Sequence, residues 1–199
     1  MKDLYLAYKK FDSFIKMQLV VIFVISLSWA LIMPVITKLQ GLLWATSIIS
    51  GFLIFQRLTA FIAPMFKDAH LRVAYRNLIF LDFLYLISLY TYFIDPLLFL
   101  YTEGALMLVY TVIMSVFAIR YDAFLMNKYN TQIFEDVQYV ERISMATAAI
   151  IGYSVVFLLD IFTHDLSIVI WVFTVILSIN LCFQLYNYIY YWKKFNIGD

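Results

Sequence analysis

Long uncharged blocks separated by short charged segments make up this chain. Residues 17–37 (MQLVVIFVISLSWALIMPVIT) carry no charge at all. A hydrocarbon core of ~30 Å takes ~20 apolar residues as helix. By that measure the blocks predict six membrane spans, at 17–37, 42–64, 78–94, 97–119, 143–163 and 166–190. The third, LIFLDFLYLISLYTYFI, is the shortest and holds Asp82. Residues 78–119 read as two spans rather than one region with a re-entrant element, because Asp95-Pro96 predicts a tight turn. The expected fold is therefore all-α, a polytopic membrane protein with one six-helix transmembrane domain over residues 1–199.

Charge adds a topology. Lys2, Lys9, Lys10 and Lys16 precede the first span. Lys67, Arg72 and Arg76 follow the second, Arg120, Lys128 and Arg142 follow the fourth, and Lys193 and Lys194 follow the sixth. With six spans all of these fall on one side, leaving Lys38 opposite and Arg57 inside the second span. Basic loops mark the cytoplasmic side, so both termini are expected there, in a cell membrane. An odd number of spans would spoil the segregation. Tyr186, Tyr188, Tyr190, Tyr191 and Trp192 crowd the inner end of the sixth span, and Tyr90, Tyr92 and Tyr101 flank an outer turn, as interfacial anchors do.

Composition closes off other classes. The chain is 65% hydrophobic and 14% charged, with mean hydropathy +0.89, where soluble domains hold about 25% charged residues. Lipid must cover much of this surface. A net charge of +1 with no basic tract excludes nucleic acid as a partner. The single Cys182 has no disulfide or metal-binding companion. Residues 1–16 are charged and aromatic, and no small-residue cleavage site follows residue 37, so the first block reads as a retained span and not a signal peptide. His70 and His164 belong to opposite sides, and no HExxH, Gly-x-Ser-x-Gly or Walker loop occurs. No residue is assigned to catalysis, a metal or a cofactor.

The outer turns are short and the inner loops, 65–77 and 120–142, longer. In the second of these, Phe124, Leu125, Ile133, Phe134, Val137 and Val140 are interleaved with charges. Two readings stand: an amphipathic helix on the inner membrane surface, or a cytoplasmic extension of the fourth span.

Four sequence features carry a family resemblance. The first span ends in Leu31-Ile32-Met33-Pro34, and Leu39-Gln40-Gly41 leads to Ser47, Ser50 and Gly51. The second span closes with Ala63-Pro64-Met65-Phe66-Lys67-Asp68-Ala69-His70-Leu71-Arg72, and Glu141-Arg142-Ile143-Ser144 precedes a small-residue run and Gly152-Tyr153. Over residues ~30–165 this resembles the N-terminal six-helix half of a major facilitator superfamily transporter. The resemblance places Asp68 and Arg72 in the family's gating loop, although the Arg after the Asp and both loop glycines are missing here. It also implies an absent half, since the family has two six-span halves related by an axis along the membrane normal. A homodimer about such a two-fold axis is the simplest completion; a second half-transporter is the other.

Ionisable residues in a span are costly. Arg57 and Asp82 lie about 10 and 7 Å from the inner boundary by helical rise, so an ion pair is expected, structural or gating. Glu103 lies about 12 Å past Asp95, near the midplane, or nearer the outer interface if the fourth span starts later. A lone carboxyl there suits proton coupling or a cationic substrate, because hydrocarbon penalises its charged form. Asn180 and Gln184, one turn apart in the sixth span, either line a cavity or bond across helices. The expected function is a half-size secondary transporter subunit, ion-coupled and working as a dimer by alternating access. Its pathway would contain Glu103, Arg57, Asp82, Asn180 and Gln184, and its substrate is an unknown small molecule or ion. The alternative is a non-transporting accessory, assembly or immunity protein acting through a partner membrane protein, which the scarcity of glycine and the 20% aromatic content favour.

Overall fold

The computed structural model describes residues 8–43, 54, 57–58, 65, 70–163 and 165–193. Within them all long elements are helical: α1 (Ser13–Leu43), α2 (Leu71–Ile94), α3 (Pro96–Lys128), α4 (Thr131–Thr163) and α5 (Leu166–Asn187), which a π-helical turn, Tyr188–Lys193, continues. Five helices are long and apolar enough to cross a membrane, α5 counted through Trp192. They correspond to five of the expected spans and make this an integral membrane protein with lipid as its surroundings. The second expected span, 42–64, lies outside the described residues apart from Leu42, Leu43, Ile54, Arg57 and Leu58. So does Asp68 of the expected gating loop.

Four helix starts share one device. Asp12 Oδ1 accepts the Ile15 N–H at 2.8 Å, Asp95 Oδ1 that of Leu97 at 2.9 Å, Asn130 Oδ1 that of Ile133 at 2.8 Å and Asp165 Oδ1 that of Ser167 at 2.8 Å. Each side chain satisfies an amide that the first turn leaves unbonded. Asp95 is the sole residue between α2 and α3, and Pro96 occupies the first helical position, where its missing N–H costs nothing. The tight turn expected there is present.

The bonds from Ser167 hold the Asp165 carboxyl below the usual carboxylate range. Its folded pKa is thus depressed, so the cap stabilises α5 above the ordinary Asp value and is lost as pH falls through the folded one. The protection factor of the Ser167 amide, taken against its intrinsic exchange rate at each pH, is expected to fall on acidification, and to be low at all pH values in Asp165→Ala. Equal protection in that variant at neutral pH would mean the cap contributes nothing.

The two charged loops are shorter than the sequence pattern predicts. α2 begins at Leu71, so most of 70–77 is helix. α3 runs on to Lys128 and α4 starts at Thr131, which turns 120–142 into two helical extensions joined at Tyr129-Asn130. The helix of the fourth expected span thus extends to Lys128, and Thr131–Arg142 lengthen that of the fifth instead. Each helix has 33 residues, about 50 Å at the helical rise, against ~30 Å of hydrocarbon. The surplus is the charged part.

The chain forms two compact units, Met1–Pro34 with Ala123–Asn196 and Val35–Asp122 with Ile197–Asp199. In the first, α1 and α4 meet at Gly152: a Cβ built there would lie 2.5 Å from Ala30 Cβ and 3.2 Å from the Leu27 carbonyl oxygen. Ala148, Gly152 and Val156, spaced by four, form the buried stripe of α4, as small residues at membrane helix crossings do. At one end of this unit an aromatic cluster gathers. The Phe14 ring packs on Phe124, Tyr191 and Trp192 at 5.9, 6.1 and 5.5 Å between centroids. The Lys128 ammonium lies 5.3–5.4 Å from the Phe14, Phe124 and Tyr129 rings, and Lys10 pairs with Asp136 at 3.7 Å. Tyr129 donates its hydroxyl to Asp12 Oδ2 at 2.6 Å, so Asp12 both caps α1 and ties it to the α3–α4 turn. Burial, and then the bond to Asp12, hold the Tyr129 phenol above its ordinary pKa. Trp192 corrects the sequence reading. It is 0% exposed and belongs to the core, because the π-helical turn swings it against Phe14. Tyr186 and Tyr190 remain outside, stacked on each other at 5.5 Å.

Candidate functional site

The second unit contains a helical hairpin, α2 and the first part of α3, with polar groups along its seam. On α2 these are Asp82, Tyr85, Ser88 and Thr91, each three residues after the last. Asp82, Tyr85 and Ser88 are buried. On α3 they are Thr102, Glu103 and Tyr110. Nearest the α2–α3 turn the Thr91 and Thr102 hydroxyls face each other at 3.3 Å, and the Thr91 hydroxyl donates to the Ser88 carbonyl at 2.5 Å. Next, Ser88 Oγ bonds to Glu103 Oε1, and Ser88 Oγ also reaches its own helix at the Tyr85 carbonyl, 2.8 Å away. Deeper still, the Tyr85 and Tyr110 rings meet edge to face at 5.9 Å. Tyr85 is within electrostatic reach of Glu103, Tyr110 and Asp82.

Glu103 is the centre of this seam. It is 2% exposed, and its Oε2 has no hydrogen-bond partner among the described residues. α3 starts at Pro96, so Glu103 lies two turns, about 10 Å, along the helix. Whatever its depth in the bilayer, protein already shields it from solvent. A buried carboxyl oxygen without a bond is rare enough to require a reason, and ligand or proton binding supplies one. Among the described residues no three His, Cys, Asp or Glu side chains gather to hold a metal.

The other expected pathway residues are divided between the two units. Asp82 is 2% exposed and shares the α2 face with Tyr85. Arg57 is exposed. Arg72 is half-buried in the first turn of α2. Asn180 and Gln184 belong to the first unit. There they are fully buried, with Asn187, on the face of α5 that also carries Ile170, Phe173 and Leu177. Gln18 on α1 is buried too, and its Nε2 has no bond among the described residues.

Sequence reasoning overlooked Ser88, Tyr85 and Asn187. The i, i+3, i+6, i+9 run of polar side chains from Asp82 was the available signal. It went unread because Ser, Tyr and Thr are common in spans as packing or interface residues. Elsewhere, an apolar groove of ≈540 Å³ lies open between α1 and α5, lined by Met17, Ser178, Ile179, Cys182, Phe183 and Tyr186. The chain matches no known protein family, no curated protein and no solved structure.

Proposed function

We propose that this protein is a half-size secondary transporter subunit, resembling one six-helix half of the major facilitator superfamily and coupled to an ion. The buried Glu103 carboxyl, bonded through one oxygen and unbonded at the other among the described residues, carries the reading. A membrane protein that keeps such a group inside a helical hairpin has a use for its charge, since the desolvation cost is several kcal/mol by the more modest scales. Asp82 is a second buried carboxyl on the same seam, and the carboxamides of Asn180 and Gln184 offer a polar lining in the first unit. In this reading the charged loops lie in the cytoplasm together with both termini, and the protein sits in the cell membrane.

A single half encloses no pathway. In this reading the working form is a homodimer, with two copies related about an axis normal to the membrane. The apolar outer face of α4, with Ile150, Tyr153, Phe157 and Phe162 exposed, leaves ample surface for lipid or a second copy. Native mass measurement in a lipid nanodisc is expected to give two copies. A clean monomer, inactive alone and recovered with another membrane protein, would replace the transporter reading with the accessory one.

A further inference from the structure

Ser88 has one hydroxyl proton and two acceptors within reach, the Tyr85 carbonyl oxygen at 2.8 Å and the Glu103 carboxyl. Counting protons separates two arrangements. With Glu103 ionised, the Ser88 O–H can serve the carboxylate or the backbone carbonyl, but not both. With a proton on Glu103 Oε1, the carboxyl O–H donates to Ser88 Oγ, and the Ser88 O–H then donates to the Tyr85 carbonyl. Both contacts are hydrogen bonds only in this second arrangement. One proton is taken up, and no covalent bond other than its own O–H is formed or broken.

We infer that Ser88 is a positioning residue that reports the protonation of Glu103 to the α2 backbone by exchanging its acceptor between the Glu103 carboxylate and the Tyr85 carbonyl. Geometry carries this. The two side chains come from different helices, 15 residues apart, and meet where both are buried. A serine bonded to the carbonyl three residues back loosens or bends its helix locally. Making and breaking that bond therefore moves α2 at the turn where Tyr85 packs on Tyr110. The titratable groups of the cluster are Asp82 and Tyr85 on α2 and Tyr110 and Glu103 on α3. The exchange deepens the transport reading and rests on it for its use: it names the proton as the coupled ion and α2 as the element that responds.

The chain offers a direct probe. Tyr-Leu occurs twice, at Tyr5-Leu6 and Tyr85-Leu86, so tyrosine labelled with ¹³C at the carbonyl, combined with ¹⁵N-leucine, marks the Tyr85 carbonyl and one control. In the full chain in nanodiscs, the Tyr85 signal is expected to shift between about pH 4 and pH 10. Its midpoint should match that of the Glu103 carboxylic acid band in infrared difference spectra, the band being assigned by its loss in Glu103→Gln. The carbonyl shift should vanish in Glu103→Gln and in Ser88→Ala and persist in Ser88→Thr, while Tyr5 stays unchanged throughout. A Tyr85 carbonyl indifferent to pH while Glu103 titrates would overturn the exchange, as would a Glu103 band that never titrates, or a shift that survives in Ser88→Ala. A titrating Tyr85 signal in reconstituted protein that moves no solute would uphold the exchange and remove the transport reading instead.

Discussion

Glu103→Gln is expected to abolish ion-coupled accumulation while leaving assembly intact. Glutamine keeps the shape of the side chain and can still bond Ser88 through either amide atom, so the α2–α3 seam should close as before. It can neither carry a charge nor exchange a proton. If the carboxyl is the coupling site, the variant should retain exchange of solute down its own gradient and lose accumulation against it. At one ion per solute a tenfold ion gradient stores about 1.4 kcal/mol and supports about tenfold accumulation, which the variant should lose entirely. The measurement is uptake into proteoliposomes, with and without an imposed ion gradient, across a panel of labelled small polar solutes. Wild-type accumulation in the variant would take Glu103 out of the mechanism. Loss of both accumulation and the dimer would mean that the residue is structural.

The second large effect is expected at Gly152. An alanine methyl there would sit 2.5 Å from Ala30 Cβ, where carbon atoms in contact ordinarily stand about 3.5–4.0 Å apart. Ala30 has no flexible end to move aside, and the next neighbours are backbone atoms of α1. The two helices must therefore separate. Overpacking of this kind costs about 1–3 kcal/mol, less up to about 1 kcal/mol recovered from the better helix propensity of alanine. Gly152→Leu has no such accommodation and should fail to accumulate as folded protein. Denaturant unfolding in mixed micelles gives the number for Gly152→Ala, and the double variant with Ala30→Gly should restore most of the loss, since the clash is pairwise. Unchanged stability in Gly152→Ala would mean that α1 and α4 do not approach there.

Parts of this architecture were readable in advance. The uncharged block 17–37 could only be a helix in hydrocarbon, and it became the middle of α1. Asp95-Pro96 predicted the α2–α3 turn, because an Asx cap followed by proline at the first helical position favours a helix start whatever surrounds it. The same reasoning understated α3 and α4. The interleaved apolar set in 120–142 predicted helix, but not that a break at Tyr129-Asn130 would divide it between α3 and α4, with Val137 and Val140 buried. Trp192 was misread for a related reason. An aromatic near the end of a span is usually an anchor, and only packing against Phe14 shows that this one is core.

The candidate site divides in the same way. Glu103 was visible by itself, since a carboxyl in an apolar block stands out at any rotation of its helix. Its partner was not visible, because which of the polar residues on α2 meets it depends on how the two helices are turned and where they cross. The sequence alone determined what can enter hydrocarbon, where most of the helices begin and which buried charges need an explanation. Those properties follow from transfer and capping free energies of a few neighbouring residues. Only the tertiary structure decided that Ser88 faces Glu103, that Arg57 is exposed while Asp82 is buried, and that Tyr129 closes on Asp12 across 117 residues of chain. Those pairings depend on helix rotation and crossing, which the packing of whole faces sets and no local stretch of sequence encodes.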